Sequence, residues 1–250
     1  MGFGSSSHGL LARIARNTEW SQLLDFVSPS LFDVMPLRTL LGQGRELASN
    51  ATRPLNPLRD AVQARLEAAE IDVRIVASHD AAPPPPEQCL AMGQRALEVY
   101  FAQLAEGDVT LLDLRYACWS RPAEGPLLWA PRPAWIRWDP TFIDGVRQLY
   151  RGFYRDDDGA YRKGVEILGL GEAGDLLRKH FGEGDQRAVR FDTGVFQTTF
   201  HQVFVRCRDR GLSLHGNFLA LGVYLATLYD LLEGLDEAFD VRDAYDRVNA

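Results

Sequence analysis

The feature that most constrains the fold is an almost uninterrupted apolar run near the end of the chain, over residues 217–228. It reads Asn-Phe-Leu-Ala-Leu-Gly-Val-Tyr-Leu-Ala-Thr-Leu, and Asp230 and Glu233 follow it closely. A membrane-spanning helix needs about 20 apolar residues, so this run is too short to be one. Because a helix that is apolar on every side must be buried, we expect other helices to pack around it.

Helical periodicity continues on the N-terminal side of this run, from residue 141 onwards. Apolar residues recur every three or four positions, and glycines or aspartate-rich turns separate the periodic stretches. Such stretches cover residues 142–153, 161–168, 175–180 and 193–210. The sequence therefore predicts a bundle-like helical domain over 140–250.

The middle of the chain, residues 58–139, predicts a smaller α+β segment. After a helix at its start, the expected order is β-α-β-β, with strands at 71–76, 109–119 and 127–138 and a helix at 87–105. Pro131 and Pro133 restrict the last of these to an edge strand or an irregular extended segment. We expect one small antiparallel sheet with a helix packed on it. Residues 1–57 predict broken helices and a linker, so the whole fold is mainly α, or α+β overall.

Composition and charge exclude several classes of protein. The net charge is −7 and the pI is near 5.3, whereas nucleic-acid binders carry a positive surface to neutralise phosphates. The three cysteines have no zinc-ligand or paired spacing, and no signal-peptide-like segment follows Met1. We therefore expect a soluble cytoplasmic protein with no transmembrane segment and no nucleic-acid partner.

No motif of high specificity assigns an enzymatic activity, and the sequence leaves any cofactor unknown. It contains no Walker loop, no GxSxG and no GxGxxG. The run Asp156-Asp157-Asp158-Gly159 lacks the glutamate that an EF-hand loop needs, since Val165 stands there. We interpret this run as a turn and helix cap.

Four residues of the helical half are candidates for binding a ligand. Histidines brought together by folding could bind a metal or small molecule, and His201 and His215 are two such residues. Arg206 either complements the C-terminal dipole of its helix or binds an anion. Asn217 either caps the apolar helix or joins the same site. The alternatives stay open, and no metal-ligand set is fixed by spacing.

Two groups of residues are candidates for protein contact. One is the four-proline run at 83–86, which predicts an extended, exposed spacer. The other consists of four tryptophans, which could anchor an interface or fill a core. These are Trp119, Trp129, Trp135 and Trp138.

The region 142–245 resembles the C-terminal helices of the ABC1/UbiB/AarF atypical kinase-like family. The similarity covers about 40% of the chain and lies in short segments. These are Val146 to Tyr150 with Asp156-Asp157, Glu166 to Leu170, Arg210 to Leu214, Leu228, Glu233 to Leu235 and Phe239 to Val241. The resemblance implies that the β-containing segment is a reduced kinase-like small lobe, with Glu98 on its helix.

This chain departs from that family in its catalytic machinery. Its only lysines are Lys163 and Lys179, and no catalytic loop is recognisable, so no catalytic residue is carried over. The first hypothesis is a non-catalytic interaction or regulatory module with a protein partner, a degenerate ABC1-like kinase relative. The alternative is an enzyme, or a small-molecule or metal-binding protein, with a pocket between the C-terminal helices that uses His201, Arg206 and His215.

Overall fold

The structure of the protein is a computed structural model that describes residues 34–50, 52–79, 84–122, 124–180 and 188–249. The helices expected in the first 33 residues lie outside these ranges. So do the side chains of Leu37, Lys179 and His180.

The described residues are mainly helical with small sheets, which confirms the predicted mainly α, or α+β, class. Nine α-helices lie within the described ranges. They are α1 Leu37–Asn50, α2 Asn56–Ala68, α3 Pro86–Ala105, α4 Pro140–Tyr154, α5 Asp158–Ile167, α6 Gly174–His180, α7 Thr193–Asp209, α8 Asn217–Gly234 and α9 Val241–Val248. None of them is long and apolar enough to cross a membrane.

Helix α8 is the buried helix that its apolar run predicted. Every residue from Asn217 to Tyr229 is buried, and α1, α3 and α7 contact this helix. Side chains of the predicted middle and C-terminal segments belong to one cluster of buried residues. Leu66, Trp138 and Leu228 are examples from α2, the middle segment and α8. The main apolar core is therefore built around α8.

The strands form separate small sheets, so the expected single antiparallel sheet is wrong. Seven short strands lie in the described ranges: β1 Val73–Ile75, β2 Val109–Leu111, β3 Trp119–Ser120, β4 Leu127–Trp129, β5 Trp135–Arg137, β6 Val189–Arg190 and β7 Ala238–Phe239. One sheet has the order β1-β4-β3, with β1 and β4 parallel and β3 and β4 antiparallel. The pairs β2-β5 and β6-β7 are antiparallel.

Prolines explain two of the differences from prediction. Pro131 and Pro133 lie between β4 and β5, so β4 contains no proline and is a central strand, whereas an edge strand or an irregular segment was expected. In the proline run, Pro84 is buried and Pro86 is the first residue of α3. Proline is favoured there because its missing N–H is one that a helix start leaves unbonded. The expectation of an extended, exposed spacer is therefore wrong for Pro84, which is buried, and for Pro86, which is helical, while Pro85 is extended and half-buried.

The predicted strand over 109–119 is also interrupted. After β2 the chain leaves the extended conformation and forms a 3-10 turn at Tyr116–Cys118 before β3 begins. This interruption creates a loop over residues 112–118, which Thr227 of α8 holds by donating a hydrogen bond to the Leu112 carbonyl at 2.7 Å. The loop is thereby fixed against the buried helix.

The run of three aspartates forms the turn between α4 and α5, as predicted. The Asp157 side chain caps α5 by accepting a hydrogen bond from the Ala160 N–H at 2.9 Å. Asp156 pairs with Arg242 of α9, and Asp158 pairs with Arg178 of α6. Each aspartate therefore ties this turn to a different part of the structure.

Candidate functional site

A buried pair of opposite charges lies in the 112–118 loop. Asp113 is fully buried and Arg115 is 8% exposed. The Arg115 guanidinium donates from Nε to Asp113 Oδ1 and from Nη2 to Asp113 Oδ2, both at 2.8 Å. The Arg115 backbone N–H donates to the same carboxylate at 3.3 Å. This two-pronged geometry is the strong form of an arginine–carboxylate pair.

Two stacked tryptophans hold the backbone of this loop. The Trp119 indole N–H donates to the Leu114 carbonyl and the Trp129 indole N–H donates to the Asp113 carbonyl, both at 2.9 Å. Their rings stack with centroids 5.5 Å apart on the paired strands β3 and β4. Two stacked tryptophans therefore hold the backbone carbonyls of Asp113 and Leu114 inside the protein.

Helix α8 contributes a second carboxylate close to this pair. Asp230 accepts a hydrogen bond from the Tyr116 N–H at 3.0 Å. Burial raises the pKa of Asp230, which the bond from Tyr116 and the positive charge of Arg115 oppose. The pKa of Arg115 is raised because its hydrogen bond to Asp113 outweighs its burial. We call Asp113, Arg115 and Asp230 the buried charge cluster.

The cysteines lack the properties of reactive thiols. A nucleophilic cysteine has a lowered pKa from nearby positive charge. Burial instead raises the pKa of Cys118 and of Cys89, and it raises the pKa of Cys207 to about 11. These thiols are therefore protonated at neutral pH.

The loop that carries Asp113 can be compared with the catalytic loop of kinases. A kinase catalytic loop has the pattern His-Arg-Asp-Leu-x-x-x-Asn. In this chain Asp113-Leu114 fit the Asp-Leu pair, while Leu111, Leu112 and Cys118 stand at the histidine, arginine and asparagine positions. Only two of the five defining residues match, so the sequence of this loop is not by itself a catalytic-loop motif.

The structure separates the four residues predicted to bind a ligand into different roles. Asn217 is buried, and its side chain accepts a hydrogen bond from the Asp139 N–H at 2.9 Å instead of capping its own helix. His215 is exposed at the start of α8, where its ring stacks on Phe142 and its Nδ1 accepts from the Asn217 N–H.

The two other candidates lie on α7. His201 is exposed, and Arg206 is exposed and lies 4.0 Å from Glu172, which also pairs with Arg210 at 2.6 Å. Among the described residues, no group of three or more His, Cys, Asp or Glu side chains is placed to hold a metal ion. The structure thus joins His215 to Asn217 and places Arg206 in an ion pair.

The tryptophans proposed as contact residues are all internal. Trp119, Trp129 and Trp138 are at most 2% exposed, and Trp135 is 7% exposed. Each indole N–H is hydrogen-bonded within the protein. Of the two alternatives for these residues, the core role is therefore correct.

Two cavities lie elsewhere. One, of about 40 Å³, is lined by aromatic and aliphatic side chains of α3, α4, α8, α9 and the segment that begins with β6. Tyr100 and Tyr150 line it, and their hydroxyls are 2.5 Å apart. Since a buried water needs at least 10–15 Å³, this cavity suits water-sized occupants. The second, of about 350 Å³, is a polar groove at the ends of α2, α3 and α9. None of the four predicted ligand residues lines either cavity.

Comparison with known proteins gives no assignment, because no protein-family model matches the chain and no curated protein matches it significantly.

Proposed function

We propose that this protein is a non-catalytic interaction or regulatory module and a degenerate relative of the ABC1/UbiB/AarF kinase-like family. The observation that carries the proposal is the state of Asp113. Asp113 and Leu114 match two of the five defining residues of the kinase catalytic-loop pattern, and Asp113 is fully buried and bound on both carboxylate oxygens by Arg115.

A kinase uses this aspartate to accept the proton of the substrate hydroxyl. A general base must come within hydrogen-bond distance of that proton, and no substrate atom can approach a carboxylate that is buried and already bonded to a guanidinium. The geometry therefore supports a structural role for Asp113.

The groups that bind Mg-ATP in kinases are also replaced. Kinases hold magnesium with an asparagine of this loop and the aspartate of an Asp-Phe-Gly motif. Cys118 stands in place of the asparagine, and the sequence contains no Asp-Phe-Gly. No lysine precedes Lys163 to contact the phosphates.

The glutamate that would face that lysine has other partners. Glu98 of α3 is 1% exposed and lies 2.5 Å from Arg95 and 3.5 Å from Arg247 of α9. It therefore joins α3 to the C-terminal helix α9, which supports a structural use of the kinase-like framework.

The test is a phosphoryl-transfer assay with γ-labelled ATP, magnesium and generic acceptor proteins. We expect no transfer and no ATP hydrolysis above the buffer rate, from the wild type or from Asp113→Asn. Transfer or hydrolysis that Asp113→Asn abolishes, while the variant keeps the wild-type circular dichroism spectrum, would overturn the proposal.

A further inference from the structure

The polar groove of about 350 Å³ has the size of a small-molecule site. It lies where the C-terminal ends of α2, α3 and α9 meet, away from the 112–118 loop. Four alanines, three polar residues and a valine line it, and the small alanine side chains leave room for a ligand. The lining residues are Arg65, Ala68, Ala69, Ala102, Ala105, Glu106, Val248 and Asn249.

Arg65 is fixed in this groove by one end of its guanidinium. Its Nη1 donates to the Glu106 and Val109 carbonyls at 2.9 and 3.0 Å. Gly107 permits this position, since a Cβ there would lie 2.8 Å from the guanidinium carbon. Nε and Nη2 of Arg65 have no hydrogen-bond partner among the described residues. This second edge keeps the donors with which arginine binds a carboxylate through two parallel hydrogen bonds.

The same groove offers acceptors for a positive group. In the described part of the chain, the Glu106 carboxylate makes no hydrogen bond or ion pair. The Asn249 amide donates to the Tyr245 carbonyl at 2.9 Å, which leaves Oδ1 as an acceptor. The negative ends of three helix dipoles point to this region and favour a positive charge there.

We propose that the groove binds a free α-amino acid. The second edge of Arg65 pairs with the ligand carboxylate, Glu106 and Asn249 Oδ1 accept from its ammonium, and the alanine walls contact its side chain. A ligand with only one of these charges would make only one of these two sets of contacts. The inference concerns a site separate from the buried charge cluster and is independent of the proposed function.

Three matched ligands test the proposal with the full-length protein. L-Leucine carries both charges, 4-methylpentanoate lacks the ammonium, and 3-methylbutylamine lacks the carboxylate. Binding is measured by isothermal titration calorimetry and by thermal shift up to about 10 mM, the range that detects millimolar sites. We expect saturable binding of leucine and at least about tenfold weaker binding of the other two, since a hydrogen bond to a charged group contributes about 1.5–3 kcal/mol.

Variants locate the site. Ala68→Leu fills the groove at an exposed alanine and should abolish leucine binding, whereas Ala91→Leu, at an exposed alanine on the first half of α3, should leave it unchanged. Glu106→Gln should weaken leucine binding about tenfold and leave 4-methylpentanoate unaffected. Absence of leucine binding, equal binding of the three ligands, or leucine binding that Ala68→Leu does not change would overturn the proposal.

Discussion

The buried charge cluster makes a quantitative prediction about stability. Replacing Asp113 by Leu removes the partner of a guanidinium that is 8% exposed, and replacing Arg115 by Met strands a carboxylate that is fully buried. Removing one partner of a buried ion pair costs about 3–5 kcal/mol. Asp230 lies close enough to compensate part of the Arg115 charge, so we expect Asp113→Leu near the lower end and Arg115→Met near the upper end.

The double variant Asp113→Leu/Arg115→Met should behave differently. It removes both charges together, and apolar replacement of a buried pair is often neutral or stabilising. We expect it to be at least about 2 kcal/mol more stable than either single variant. The free-energy costs are therefore non-additive, with the double variant far from the roughly 6–10 kcal/mol sum of the two singles.

The assay is urea denaturation at pH 7, followed by tryptophan fluorescence and by far-ultraviolet circular dichroism. Trp119 and Trp129 bond directly to the loop, so fluorescence reports on the site, and coincident transitions justify a two-state treatment. With a slope of about 3 kcal/mol/M, the single variants should lower the midpoint by roughly 1–1.7 M. Single costs below about 1 kcal/mol, or additive costs in the double variant, would refute the claim that the pair is desolvated and coupled.

Three further predictions concern other parts of the fold. Because burial raises the pKa of Asp230, the wild type loses stability as pH rises through that pKa. Asp230→Asn should therefore be more stable than the wild type at pH 8. This difference in stability should vanish below about pH 4, where Asp230 is protonated in both the folded and the unfolded protein. Equal pH profiles from urea titrations would contradict this. Gly152→Ala places a Cβ 2.2 Å from the backbone of α5 and should lower the free energy of unfolding by about 1–3 kcal/mol or more. Gly222→Ala meets no atom within 4 Å and should raise it by about 0.5–1 kcal/mol. Thermal melts in which both variants shift the Tm in the same direction would contradict this packing. Asn217→Ala should cost about 1–3 kcal/mol of stability because it leaves the Asp139 N–H without its acceptor. His201→Ala, at an exposed residue, should change stability by less than about 0.5 kcal/mol. In chemical denaturation, a larger effect at His201 would contradict this expectation.

The helical half could be predicted from sequence because its signal is local. Apolar residues at helical spacing define which face of α4 and α7 is buried, and Phe196, Phe200 and Phe204 are inward as expected. The apolar run of α8 likewise has one physical solution, burial on all sides. Elements of this kind depend on the chain's own periodicity and little on distant partners.

The strand pairing and the site could not be predicted in the same way. The expected ranges do contain β1, β2, β4 and β5. The parallel pairing of β1 with β4, however, depends on residues more than 50 positions apart. Asp113 and Arg115 are two ordinary charged residues in the sequence. Their importance arises from their burial and from the hydrogen bonds between them, which only the three-dimensional structure reveals.

The most direct test of the central proposal, that the protein is a non-catalytic relative of the kinase-like family, is a thermal-shift titration with Mg-ATP, with magnesium alone and ATP alone as controls. A ligand at one hundred times its Kd stabilises a protein by about 2.7 kcal/mol, which such an experiment detects easily. We predict no saturable, magnesium-dependent rise in Tm for the wild type. A saturable rise that requires both ATP and magnesium, and that Asp113→Asn weakens, would contradict the account.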